Sequence, residues 1–125
     1  MYEFELQLTS HFAAAMALSK YQGPCANLHG HTYAVDVVVA TKTLDQYDMI
    51  IDHVTLKQYL DQVLQKFDHK YLNDLVWFAD TAPTTENIAR MIFEQMTDLL
   101  KQYKNINVKQ VKIAENQNVS ISYGR

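Results

Sequence analysis

Ile106-Asn107-Val108-Lys109-Gln110-Val111-Lys112-Ile113-Ala114-Glu115-Asn116-Gln117-Asn118-Val119-Ser120-Ile121-Ser122-Tyr123 is a hairpin by its pattern. Val111 and Ile113, then Val119, Ile121 and Tyr123, follow the period of two that buries one face of a strand, with Val108 three residues ahead of Val111, and the polar turn Asn116-Gln117-Asn118 separates the two runs. The residues before it change period. Ile88, Met91, Ile92, Gln95, Met96, Leu99 and Leu100 recur at three and four, which predicts a helix that begins at Thr84 or Thr85 after Pro83 and ends near Tyr103-Lys104-Asn105. Leu56, Tyr59, Leu60, Val63, Leu64 and Phe67 predict an earlier helix from Val54, capped by Asp52.

The N-terminal third returns to alternation. Phe4, Leu6 and Leu8 alternate with Glu3, Glu5, Gln7 and Thr9, giving a first strand over Phe4 to Phe12. His31, Tyr33, Val35, Val37 and Val39 give a second, antiparallel strand that ends at Thr41-Lys42-Thr43, after a loop holding Gly23 and Pro24. The order ββααββ predicts an α+β domain spanning residues 1–125, with two helices on one face of a four-stranded antiparallel sheet. Such a sheet has two open edges, so pairing between subunits is a natural completion.

Composition excludes several classes of function. A chain of 125 residues with 48% hydrophobic and 20% charged residues is globular rather than disordered. Eleven basic against fourteen acidic residues give a net charge of −3, so no basic field attracts a phosphate backbone and nucleic acid is not the expected partner. The lone Cys25 forms no internal disulfide, no apolar run reaches the roughly 20 residues of a membrane span, and the start carries acids where a secretory signal has Lys or Arg. The cytoplasm is the expected location.

Five groups of residues can carry chemistry. His29 and His31 are two apart at the entry to a strand, on one face, with Gly30 between them; two imidazoles so placed can chelate one metal, and also occur on ordinary surfaces. Cys25, in the preceding loop, is either a reactive thiol or a small buried hydrophobe. Asp68-His69 closes the first helix, where the carboxylate can orient the imidazole for proton transfer, or both can complement the helix dipole. Glu115 ends a strand, where its carboxylate can accept two parallel N–H donors from a planar ring. Glu86 lies in the first turn of the second helix, the ordinary place for an acid that complements the dipole.

In order, F-A-A-A-M-x-L, C-x-x-L-H-G-H-x-Y, I-I-D-x-x-x-L-K, D-H-x-x-L-N, P-T-x-E-N and I-x-E-N resemble the 6-pyruvoyltetrahydropterin synthase and 6-carboxytetrahydropterin synthase family across nearly the whole chain. The resemblance implies the tunnelling fold, a ββααββ unit that forms trimers and dimers of trimers. It implies a zinc-dependent carbon–oxygen lyase acting on 7,8-dihydroneopterin triphosphate. His29 and His31 are then two of three zinc ligands, Cys25, Asp68 and His69 the catalytic triad, Glu115 the anchor of the pterin ring, and Thr85 with Glu86 a second pterin-contacting segment. C-x-N-L-H-G-H-T-Y in a short chain is more like the 6-carboxytetrahydropterin branch of the queuosine pathway, with a 6-pyruvoyl product as the runner-up.

One position departs from the family's pattern. Its third zinc ligand is the histidine of F-x-x-x-H, and here Met16 stands in that place, a soft thioether better suited to copper(I) than to zinc. On a regular strand His11 faces away from position 16 and could replace it only through a bulge. His53 is a second histidine at an unexpected position, within I-I-D-x. A pterin-binding paralogue with weakened catalysis, or histidines that merely staple an oligomer through metal, are the readings from other classes.

Overall fold

Phe4–Met16 forms β1 and His29–Thr41 forms β2, both longer toward the intervening loop than the alternation alone predicts. They pair antiparallel from Phe4 with Thr41 to Met16 with His29, without a register shift. This computed structural model describes residues 3–18, 23 and 26–125. Because opposite residues share a face, Phe12, Ala14 and Met16 of β1 and Tyr33, Val35, Val37 and Val39 of β2 are buried together.

Asp52 caps α1, His53–Leu64, by accepting the Val54 backbone N–H at 2.9 Å. The helix stops at Leu64, short of the predicted Phe67. Tighter bonds take over, from Lys66 N–H to the Val63 carbonyl and from Phe67 N–H to the Leu64 carbonyl. Phe67 stays fully buried against Phe12 while the backbone turns back toward the sheet. His69 makes that turn in the left-handed region, at φ 58°, and its N–H donates to the Ala13 carbonyl at 2.6 Å. Lys70–Tyr71 then forms β3, paired parallel with Ala14 and Ala15.

Single 3₁₀ turns at Leu72–Asp74 and Val76–Phe78 lead to α2, Thr85–Leu100. Of the two candidate caps, Thr84 does the capping, accepting the Asn87 N–H at 3.2 Å. β4, Asn107–Ala114, and β5, Ser120–Gly124, are the predicted hairpin. The sheet order is β3-β1-β2-β4-β5. The prediction of four antiparallel strands is corrected by one strand, the parallel β3, whose two residues are too few to show a period.

α1 packs on β1, α2 on β4 and β5, and the helices touch each other. Leu56, Leu60, Val63, Ile88, Ile92 and Met96 are fully buried between the layers, each stabilising the fold by about 1.5–3 kcal/mol relative to exposure. The antiparallel helices bring the start of α2, the end of α1, the start of β2 and the ends of β1 and β4 to one end of the sheet.

Candidate functional site

His29, His31 and Tyr33 project in succession from the helix-covered face of β2, and the strand's end leaves both imidazoles partly exposed while Tyr33 is buried. The two imidazole rings stand edge to face with centroids 4.9 Å apart, and His31 meets Tyr33 at 5.4 Å. His29 Nδ1 lies 2.7 Å from the Asn27 carbonyl, so that nitrogen carries the proton and Nε2 is left as the acceptor or metal donor. Met16 sits directly opposite His29 across the β1–β2 pair, on the same face. Its sulfur is buried and accepts the Tyr33 hydroxyl at 2.9 Å. The Tyr33 ring stacks on Phe12 at 4.7 Å.

Ala34 pairs with Ala114, so Glu115, one step farther along, falls beside Tyr33 at the same end of the face. Burial, with the Glu115 charge adding to it, keeps the Tyr33 hydroxyl protonated well above the usual tyrosine range. The Thr85 hydroxyl, buried in the first turn of α2, donates to Glu115 Oε1. That bond orients one carboxylate oxygen and places the acid at the helix N-terminus, where the backbone dipole favours negative charge. Glu86, the next residue, is exposed on the outer side of the helix.

Asp68 and His69 lie in the turn after α1 rather than closing the helix. Asp68 Oδ1 accepts the Ala13 N–H at 2.9 Å and lies 3.0 Å from His69 Nδ1. The Ala13 bond first, and His69 second, hold the Asp68 carboxyl below the usual carboxylate range. His69 is 82% exposed, so its Nε2 is open to a substrate. A hollow of about 530 Å³ joins the two histidine groups: Ala13, Ala14, Ala15 and Gly30 form its floor, and His31, His69 and Lys70 stand around it. Gly30 suits that floor, since a Cβ there would meet the Ala14 carbonyl oxygen at 3.3 Å.

Cys25 lies outside the described residues. Zinc, the metal implied by the motifs, fits this end of the sheet in two donors out of three. His29 and His31 are suitable imidazoles, but the third position holds a buried thioether already bonded to Tyr33. Among the described residues no group of three or more His, Cys, Asp or Glu side chains comes together. His11 does not replace Met16, because the β1–β2 register is unbroken and His11 is exposed on the opposite face. His53 does not either: its neighbours Asp52 and Thr55 line a cleft with Thr41, at the far end of a strand on the order of 40 Å long.

Two residues of the motifs have roles the sequence did not reveal. Tyr33 is the hub that touches Phe12, His31 and Met16. Asn73 clamps the end of β1, accepting the Ala17 N–H at 2.9 Å and donating to the Ala17 carbonyl at 2.8 Å. Both stand in quoted motifs, H-x-Y and D-H-x-x-L-N, which was the available signal.

A family described as 6-pyruvoyl tetrahydropterin synthase matches residues 5–125. A 6-carboxy-5,6,7,8-tetrahydropterin synthase of Bacillus subtilis is 33% identical over 109 residues, 83% of this chain and 73% of that protein. A 6-pyruvoyl tetrahydrobiopterin synthase of Dictyostelium discoideum is 33% identical over 106 residues, 83% of this chain and 76% of that one. The solved 6-pyruvoyl tetrahydropterin synthase of Caenorhabditis elegans superimposes with a TM-score of 0.87 at 26% identity, over 100% of this chain and 97% of that chain. With its α+β tunnelling fold and with a family match over nearly its full length, the chain belongs to the 6-pyruvoyl tetrahydropterin synthase family of lyases.

Proposed function

We propose that this chain converts 7,8-dihydroneopterin triphosphate and water to 6-carboxy-5,6,7,8-tetrahydropterin, with release of triphosphate and of the two outer side-chain carbons as acetaldehyde. The observation that carries the reading is that Glu115, oriented by Thr85, and the His29–His31 pair share one end of one sheet face. A planar pterin ring that donates N–H groups to Glu115 then has its side chain directed along the row toward the imidazoles. Glu86, in the same first turn as Thr85, is assigned to the pterin-contacting segment. The 6-carboxy assignment rests on C-x-N-L-H-G-H-T-Y and on likeness to relatives of that name, and a 6-pyruvoyl product is the alternative.

His29 and His31 would hold a zinc ion, which when bound would supply Lewis-acid polarisation of the substrate's side-chain oxygens. Cys25 acts as thiolate base and takes a proton from the side-chain carbon. His69 is the partner acid. Asp68 holds the Nδ1–H, so the protonated ring would present its Nε2–H to the substrate and deliver that proton as triphosphate leaves, returning to the neutral imidazole. The enzyme works as a homo-oligomer, a trimer or dimer of trimers, in the cytoplasm.

Release of inorganic triphosphate tests this assignment. The intact protein releases it from dihydroneopterin triphosphate, and Cys25→Ala slows release by roughly 100-fold or more, the usual contribution of a positioned acid–base group. Release at an unchanged rate in Cys25→Ala contradicts the role given to the thiol. A pterin-binding paralogue with weakened catalysis is the second reading, and the burial of Met16 under Tyr33 favours it.

A further inference from the structure

We infer that the cluster of Met16, His29 and His31 is a soft-metal site that binds copper(I) more tightly than zinc and releases zinc to it. The inference rests on the metal centre named above, and its test reads metal affinity instead of lyase activity.

The placement comes from the strand register. Met16 and His29 are opposite partners in the unbroken β1–β2 pair, so their Cβ atoms are roughly 5 Å apart on one face. His31 follows on the same face with its ring 4.9 Å from that of His29. The donors are therefore one thioether and two imidazoles. The Asn27 carbonyl takes Nδ1 of His29 and leaves Nε2 as the donor. Tyr33 holds the sulfur, since its hydroxyl donates to one lone pair and a thioether sulfur has two.

The chemistry of the donors selects the metal. All three are neutral, which matches a monovalent ion better than a divalent one, whose charge a site without a carboxylate leaves uncompensated. A thioether is a soft donor suited to copper(I), whereas zinc sites use imidazole, thiolate and carboxylate. Zinc therefore gains from only two of the three groups, and copper(I) from all three.

Metal-free protein is titrated without oxygen, with zinc against a chromophoric chelator and with copper(I) against a copper(I)-specific chelator. Cys25→Ala is the background throughout, because its thiol is a soft donor in its own right. Expected is tighter copper(I) than zinc, with copper(I) displacing bound zinc stoichiometrically. Met16→Leu conserves volume, so its fold is checked by circular dichroism; it weakens copper(I) by tenfold or more and leaves zinc unchanged. Met16→His reverses the preference, tightening zinc by at least tenfold. Copper(I) affinity unchanged by Met16→Leu overturns the inference, as does zinc binding in the background protein as tight as in Met16→His. Should Met16→Leu not fold, the Met16→His comparison decides alone.

Discussion

Glu115 is the residue on which the proposed recognition of the pterin ring rests. Its carboxylate is oriented by the Thr85 hydroxyl and lies beside the Tyr33 phenol, which burial keeps neutral. Glu115→Gln keeps the shape and replaces one acceptor by a donor; pterin affinity, read by fluorescence titration, should fall by about 1–3 kcal/mol. Unchanged affinity places the ring elsewhere. His69 carries a different burden, since a left-handed backbone costs roughly 1–2 kcal/mol in a residue with a Cβ. Glycine adopts that conformation freely but loses more chain entropy on folding, and the two effects nearly offset. His69→Gly should therefore stay within about 1 kcal/mol of the parent in denaturant unfolding while losing turnover. A large loss of stability would show that the imidazole serves the fold instead.

At the level of elements, the chain on both sides of β3 is stitched to the end of β1, before it by Asp68 and His69 on Ala13 and after it by Asn73 on Ala17. Asp68 ionises more readily folded than unfolded, so its contribution is present above the ordinary carboxylate range, near pH 4, and is lost as pH falls through its lowered folded value. Asp68→Asn can still accept the Ala13 N–H but carries no charge. The melting temperature of the parent should exceed that of Asp68→Asn at pH 7, and the gap should close as pH drops below about 4. A gap that stays constant with pH assigns the difference to packing. This stitching also marks the limit of what the sequence made legible. The helices and long strands could be read because Leu56 to Leu64, Ile88 to Leu100 and Val35 to Val39 bury whole stripes, and burial writes a period. β3 has no stripe to bury, and the end of α1 is set by tertiary bonds to Ala13, so neither leaves a local signal.

Across the whole molecule, the sheet carries residues far apart in the sequence to one end. Positions 16, 29, 31, 85 and 115 meet there because the unbroken β1–β2 register, the β2–β4 pairing of Ala34 with Ala114 and two antiparallel helices bring them, and motif order alone could not show that Met16 faces His29. The same register removes His11 and His53 from the centre, a result that depends on strand parity and length rather than on residue type. Lyase chemistry at such a centre requires a base, an acid, a held ring and a metal; the proposed roles of Cys25, His69, Glu115 and the His29–His31 pair supply each from this chain, with a weakened third metal ligand. The most direct test is a mass-spectrometric product assay with 7,8-dihydroneopterin triphosphate on zinc-loaded and on chelator-stripped protein. Zinc-loaded protein should yield 6-carboxy-5,6,7,8-tetrahydropterin and stripped protein none; no tetrahydropterin from either, with pterin still bound, would contradict the lyase assignment.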